Sequence, residues 1–170
     1  PAAPEAIKSA REAVVALRRA LMVRTRTEHR KEWEETQINL GVALDSLSQL
    51  IQGEERVEAL AEAIVALRSA LQVLTAAESP ARWATAQRML GQAISGKVMD
   101  DVLLGGGPPS MAAIAEAITS CRAASQFYPR QQFPVDWAKA QSCLSLGLTL
   151  QGVISGDRQV LDEALERMDA

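Results

Sequence analysis

The stretch Trp33-Glu-Glu-Thr-Gln37-Ile-Asn-Leu40-Gly41 decides the fold, because it comes back twice. It returns as Trp83-Ala-Thr-Ala-Gln87-Arg-Met-Leu90-Gly91 and as Trp137-Ala-Lys-Ala-Gln141-Ser-Cys-Leu144-Ser145. Trp, Gln at +4 and Leu at +7 are common to all three. A small residue follows at +8, then Ala43, Ala93 or Gly147 at +10 and Leu44, Ile94 or Leu148 at +11. Positions +4, +7 and +11 share one face of an α-helix, and the small +8 residue lets a neighbouring helix come close. Successive tryptophans stand 50 and 54 residues apart.

A second element keeps the same register: Glu12-Ala13-Val14, Glu62-Ala63-Ile64, Glu116-Ala117-Ile118 and Glu163-Ala164-Leu165, at spacings of 50, 54 and 47. The first two extend into near-copies, Glu12-Ala-Val-Val-Ala-Leu-Arg-Arg-Ala-Leu21 and Glu62-Ala-Ile-Val-Ala-Leu-Arg-Ser-Ala-Leu71. Two elements that share both a 50 and a 54 make a true internal repeat. With the Trp-bearing helix termed A and the Glu-Ala helix B, the order is one B helix and then three A–B pairs. Helices are predicted over 4–26, 31–51, 56–77, 80–97, 110–127, 133–154 and 157–169. Gly53 separates the second and third, and Pro80 suits the first turn of the fourth. Gly105 to Pro109 forms the longest loop, which Ser110 can close as a cap; Pro129 and Pro134 bracket the next connection, and Gly156-Asp157 ends one helix and starts the last.

Composition agrees with an all-α fold. Apolar residues make up 48%, aromatics only 4%, and the net charge is −3, too near neutral to indicate nucleic-acid or membrane-surface binding. No apolar run approaches the ~20 residues of a membrane span, and no secretory signal opens the chain. Cytoplasmic residence is the default expectation. Cys121 and Cys143 are too few and too far apart in sequence for a disulfide framework or a four-ligand zinc site, and read as small buried hydrophobes.

Leu-Gly-x-Ala-Leu in helix A, then Glu-Ala-Ile-x-Ala-Leu-x-x-Ala-Leu in helix B and a Pro-bearing turn, resembles the tetratricopeptide repeat (TPR) over nearly the whole chain. It is most similar to a long-helix, bacterial-type variant, since the usual unit is about 34 residues. The resemblance implies a right-handed superhelical solenoid of antiparallel hairpins forming one domain. Its units are an orphan B helix (4–26), then 31–77, 80–127 and 133–169. The third unit departs from the pattern with Ser145 for Gly. A generic helical-hairpin solenoid remains the alternative. The ends lack polar caps, the expectation for a fragment of a longer array or for a chain that self-associates.

No catalytic or cofactor constellation emerges, so neither an enzyme nor a cofactor is expected. Gly91-Gln-Ala-Ile-Ser-Gly96-Lys97-Val98 mimics a phosphate-binding loop, but Val98 replaces the Mg²⁺-binding hydroxyl and Gly91 is a repeat glycine inside a helix. His29 is the only histidine, so multi-His metal sites are excluded; it reads as a solvated side chain. Asp100-Asp101 alone is too little for a cation. The run Arg18, Arg19, Arg24, Arg26, Arg30, Lys31 reads as charge favoured at a helix C-terminus and compensated by Glu32, Glu34 and Glu35, with an acidic-partner patch as the alternative. The tryptophans read as packing wedges.

By the resemblance, a concave groove is lined by Trp +2, +5, +9 and +12. These positions hold Glu35, Ile38, Val42 and Asp45; then Thr85, Arg88, Gln92 and Ser95; then Lys139, Ser142, Leu146 and Thr149. Family members that grip a peptide's terminal carboxylate use a Lys/Asn set not reproduced here: Met89 and Cys143 stand where Asn39 stands. The expected function is a protein-interaction module binding a peptide or helix of a partner protein. The alternatives are a self-assembling scaffold, a homo-oligomer joined through its open ends, or a regulatory segment of a larger signalling enzyme.

Overall fold

Apolar residues three and four apart, Ala-rich interiors, and Pro held to the ends and loops favour helix in every segment of this sequence. The computed structural model describes residues 4–168. These form α1 (Pro4–Val23), α2 (Arg30–Ser48), α3 (Glu54–Leu71), α4 (Pro80–Leu103), α5 (Met111–Phe127), α6 (Pro134–Ser155) and α7 (Arg158–Met168), with no strand among the described residues. Helices α2, α4 and α6 are A-type; α1, α3, α5 and α7 are B-type. Residue 169, the expected last helical position, lies outside the described residues.

Several boundaries depart from expectation, α2 among them, ending at Ser48 rather than 51. The B helices α1 and α3 stop early, at Val23 and Leu71 rather than 26 and 77. The chain then turns on Thr25 and Thr75. Glu28 N–H donates to Thr25 Oγ1 at 3.2 Å, and Thr25 donates back to the Glu28 carboxylate. Thr75 and Glu78 repeat both bonds. These reciprocal bonds satisfy donors that the helix would otherwise have used. Conversely, α4 runs six residues past its expected end at 97, to Leu103. Lys97 pairs with Asp101 at 2.7 Å one turn on, and Arg56 of α3 holds Asp100 at 2.6 Å. The helix stops where Gly105 takes φ +73° and Gly106 N–H reaches back to Asp101 O at 2.7 Å, a left-handed closure that favours glycine.

Every helix packs on its neighbours in sequence. In addition α2 packs on α4, and α4 on α6, whereas no two B-type helices bring Cα atoms within 8 Å of each other. The main core contains Leu40, Leu44, Leu47, Leu90, Ile94, Leu144 and Leu148 from the A helices, with Ile64, Leu67 and Ile118 from the B helices. Leu17, Leu21 and Leu71 are only half-buried. A smaller cluster gathers Ala84, Ala124, Tyr128 and Ala140 under Trp83, Phe127 and Trp137.

The small +8 position brings A and B into close approach. A Cβ on Gly41 would stand 2.6 Å from Leu67 Cγ, and one on Gly91 would stand 2.4 Å from Cys121 Sγ and 2.8 Å from Ala117 O. In the third unit Ser145 uses that proximity differently, donating to Ala164 O of α7 at 2.8 Å.

The cysteine expectation is corrected in one respect. Cys121 and Cys143 are buried, but they are not free: they form a disulfide with Cα atoms 5.6 Å apart. Stacking α5 on α6 brings together positions 22 residues apart in sequence, a proximity that spacing along the chain does not report.

Candidate functional site

The expected groove residues separate into four environments. Gln92, Lys139, Ser142 and Leu146 line one open depression of about 680 Å³ between α4 and α6. Pro134, Val135, Ala138 and Cys143 complete its wall. Val135 is 64% exposed and was not among the expected residues. Its signal in the sequence was its place two residues ahead of Trp137, directly after the Pro that starts the helix. The lining is mostly apolar, with an ammonium, a hydroxyl and an amide at its edge.

The second environment is a polar seam between α2 and α4. Asp45, buried, accepts from Gln49 Nε2 at 3.0 Å and from Gln92 Nε2 at 3.4 Å. Arg88 donates to Gln92 Oε1 at 3.1 Å, so Gln92 joins the seam to the depression. Burial pushes the Asp45 carboxyl above the usual aspartate range, against the opposing pull of the Gln49 hydrogen bond and the Arg88 and Arg56 charges. The +12 residue of the next unit, Ser95, is buried with its Oγ unbonded. In the third unit the equivalent of Gln92 is Leu146, which offers no hydrogen-bonding group.

Two residues point away from any groove. Ile38 is buried in the main core. Thr85 is turned toward the smaller cluster, its hydroxyl 2.9 Å from Tyr128 Oη and bonded to Ala81 O. Glu35 and Val42 are exposed on α2 outside the depression. Thr149 is half-buried.

The other features singled out in the sequence fall into structural roles. Gly91 to Val98 is continuous helix within α4, so its N–H groups are spent on the helical ladder. His29 is exposed and makes no side-chain bond to the start of α2. Four members of the basic run reach groups outside it, and two of these, Arg18 and Arg30, meet a carboxylate. Arg18 grips both carboxylate oxygens of Glu62; Arg24 bonds Thr36 Oγ1; Arg26 bonds Gln72; and Arg30 donates to Val73 O at 2.6 Å and lies 3.5 Å from Glu78. Of the three glutamates expected to compensate it, Glu34 instead faces Arg82 of α4, with Oε1 3.2 Å from the guanidinium at an angle short of a hydrogen bond. The tryptophans are half-buried. Arg26 stands 5.8 Å from the Trp33 ring and Arg130 4.8 Å from Trp137, so two of the three are capped by the chain's own cations.

Among the described residues no three His, Cys, Asp or Glu side chains gather as a metal site, and no helix is long and apolar enough to cross a membrane. In comparison with known proteins, the chain matches no family model, no curated protein and no solved structure.

Proposed function

We propose that the chain is a protein-interaction module of the tetratricopeptide type, stacked as a right-handed solenoid, that holds a peptide or helix of a partner protein on its A helices. The packing pattern supports the solenoid. A helices touch A helices while B helices stay apart, as expected when A lines the inner side of a curved stack. The observation that carries the binding reading is the depression between α4 and α6, where four expected groove residues meet. Pro134, Val135, Ala138 and Leu146 offer a bed for an apolar side chain, while Lys139, Ser142 and Gln92 offer a cation and donors at its rim. A ligand fitting both has an apolar anchor beside a carboxylate.

The test is selection from a displayed library of random peptides, followed by affinity measurement on variants. Enriched peptides should carry an acidic residue next to a bulky apolar one. Lys139→Glu and Val135→Asp should each weaken binding by about tenfold or more, roughly 1.4 kcal/mol, with thermal stability unchanged because both side chains are exposed. Ile38→Asp would be a poor probe, since it would place a charge in the core. Failure to enrich any peptide, or affinity indifferent to both substitutions, would remove the depression from consideration.

A further inference from the structure

We infer that the outer face of α1 formed by Ser9, Ala13, Ala16 and Ala20, with Leu17 at its edge, docks a helix of the A-type pattern that is not one of the three A helices of this fold. The near-identity of α1 and α3 over ten residues means that the two helices present the same faces. In α3 the equivalent residues Ala63, Ala66, Leu67 and Ala70 are 0–3% exposed. In α5 the equivalents Ala117, Ser120, Cys121 and Ala124 are 0–5% exposed. Each of those faces is covered by the A helix of its own hairpin: Gly41 of α2 bears on Leu67, and Gly91 of α4 bears on Cys121 and Ala117. On α1, by contrast, Ser9, Ala13 and Ala16 are exposed and Leu17 and Ala20 are half-buried.

The packing of α1 on α2 does not fill this place. In backbone proximity α1 packs only on α2, through a different face centred on Val14 with Ile7 and Leu21, while Arg11 and Arg18 reach Glu55 and Glu62 of α3 by their side chains alone. Likewise α3 meets α4 through Leu60, which lies against Gly96. The hairpin-partner face is therefore left open, while the same residues elsewhere in the chain hold a helix.

The neighbouring edge of α2 specifies what that helix must carry. Where α4 receives α2, Arg82 meets Glu34 and Gln92 meets Asp45. The corresponding positions on α2 are Glu32 and Val42, both exposed. An incoming A-type helix would thus set its +1 residue against Glu32 and its +12 residue against Val42. It needs a small residue at +8, a neutral or basic residue at +1 and an apolar one at +12. A second folded copy does not supply it, because Gly41 and Gly91 are buried within their own hairpins.

The probe is a lactam-stapled peptide of residues 80–103 carrying Ser95→Leu, which has Ala84 at +1, Gly91 at +8 and an apolar +12. Its binding to the full chain is followed by fluorescence anisotropy. The expected result is saturable one-to-one binding, weakened about tenfold or more by Ala16→Arg in the protein and by Gly91→Leu in the peptide. Lys139→Glu should leave it unchanged, so this surface and the α4–α6 depression succeed or fail separately. Amide exchange in α1 should slow when the peptide is present. Absence of saturation, or affinity unaffected by Ala16→Arg in a variant that keeps the wild-type melting temperature, overturns the inference. So does light scattering that shows the chain alone to be a dimer dispersed by Ala16→Arg, which would assign the face to a second copy.

Discussion

Gly91 and Gly96 sit five residues apart in the same helix, yet a methyl group at each meets different surroundings. At Gly91 it would press on Cys121 Sγ and on the backbone carbonyl of Ala117, neither of which can swing aside. At Gly96 the nearest atom is Leu60 Cδ1 at 3.4 Å, an ordinary contact. Gly91→Ala should therefore destabilise by about 1–3 kcal/mol despite alanine's helix preference, and Gly96→Ala should stabilise by about 0.5–1 kcal/mol; urea denaturation of the two variants checks both signs. Asp45 makes a residue-scale prediction of another kind. Its folded carboxyl holds a proton more readily than the unfolded one, whose ordinary value is 3.8. In the window just above that value the native state binds the extra proton, so stability falls as pH rises through it. Asp45→Asn keeps the amide-compatible geometry and removes the charge. It should flatten that part of the stability–pH curve and leave stability at neutral pH equal or higher, measured by thermal melts across pH. Neither the clash at Gly91 nor the burial of Asp45 was legible in the sequence. The small +8 residue was visible, but whether backbone or a flexible side chain faces it depends on the partner helix.

Between elements, the B helices are joined by long side chains instead of by backbone proximity. Arg18 clasps Glu62, and Arg68 clasps Glu116 through Nε and Nη2. The arginine lies six residues after the glutamate in α1, α3 and α5, and the same pair of positions links α1 to α3 and α3 to α5. Of this ladder only Arg18 carries an electrostatic reading from the sequence, as part of a basic run compensated by Glu32, Glu34 and Glu35; the pairs themselves join residues 44 and 48 apart. Arg68 and Glu116 remain 49% and 36% exposed, so solvent screens the pair. A double-mutant cycle on Arg68→Ala and Glu116→Ala should give a coupling below about 1 kcal/mol that shrinks as salt is added. The Arg56–Asp100 contact is better shielded, and its cycle should give a larger, less salt-sensitive coupling. These pairs set the register of α3 against α4 and α5, while the energy of stacking rests on buried residues such as Leu44, Leu67, Ile94 and Leu144, each contributing roughly 1.5–3 kcal/mol.

For the whole molecule, the Cys121–Cys143 bond ties the second repeat unit to the third through α5 and α6. Closing a loop across a sequence separation of 22 constrains the unfolded chain by about 3 kcal/mol in the chain-entropy account. Denaturation with reductant present should therefore move to lower denaturant by that order. Alkylation of the native reduced protein should be slow, since both cysteines are buried; mass spectrometry after a timed quench reports it. Such bonds persist in oxidising compartments and are rare in the cytosol, so the redox state of this pair, more than composition, bears on where the chain resides. The stacked units otherwise communicate only with their neighbours, the condition for stability that adds nearly unit by unit.

The repeat, the helical class, the A–B order and most of the core were determined by the sequence alone. They depend on residues within a few turns of one another, and helical periodicity is a local property written directly in the spacing of Trp, Gln, Leu and Glu-Ala. The tertiary structure decided which of the similar A-helix positions face out. Ile38 and Thr85 occupy groove positions by number but are turned inward by the helices packed beside them, while Val135 is exposed at a place the repeat pattern does not mark. It also decided the partners far apart in sequence: Glu62 for Arg18 and Gln92 for Asp45, most of a repeat unit away, and Cys143 for Cys121, 22 residues away. Those pairings follow from how one hairpin sits on the next, an angle and offset set by the summed fit of many side chains and recorded in no single stretch of the chain.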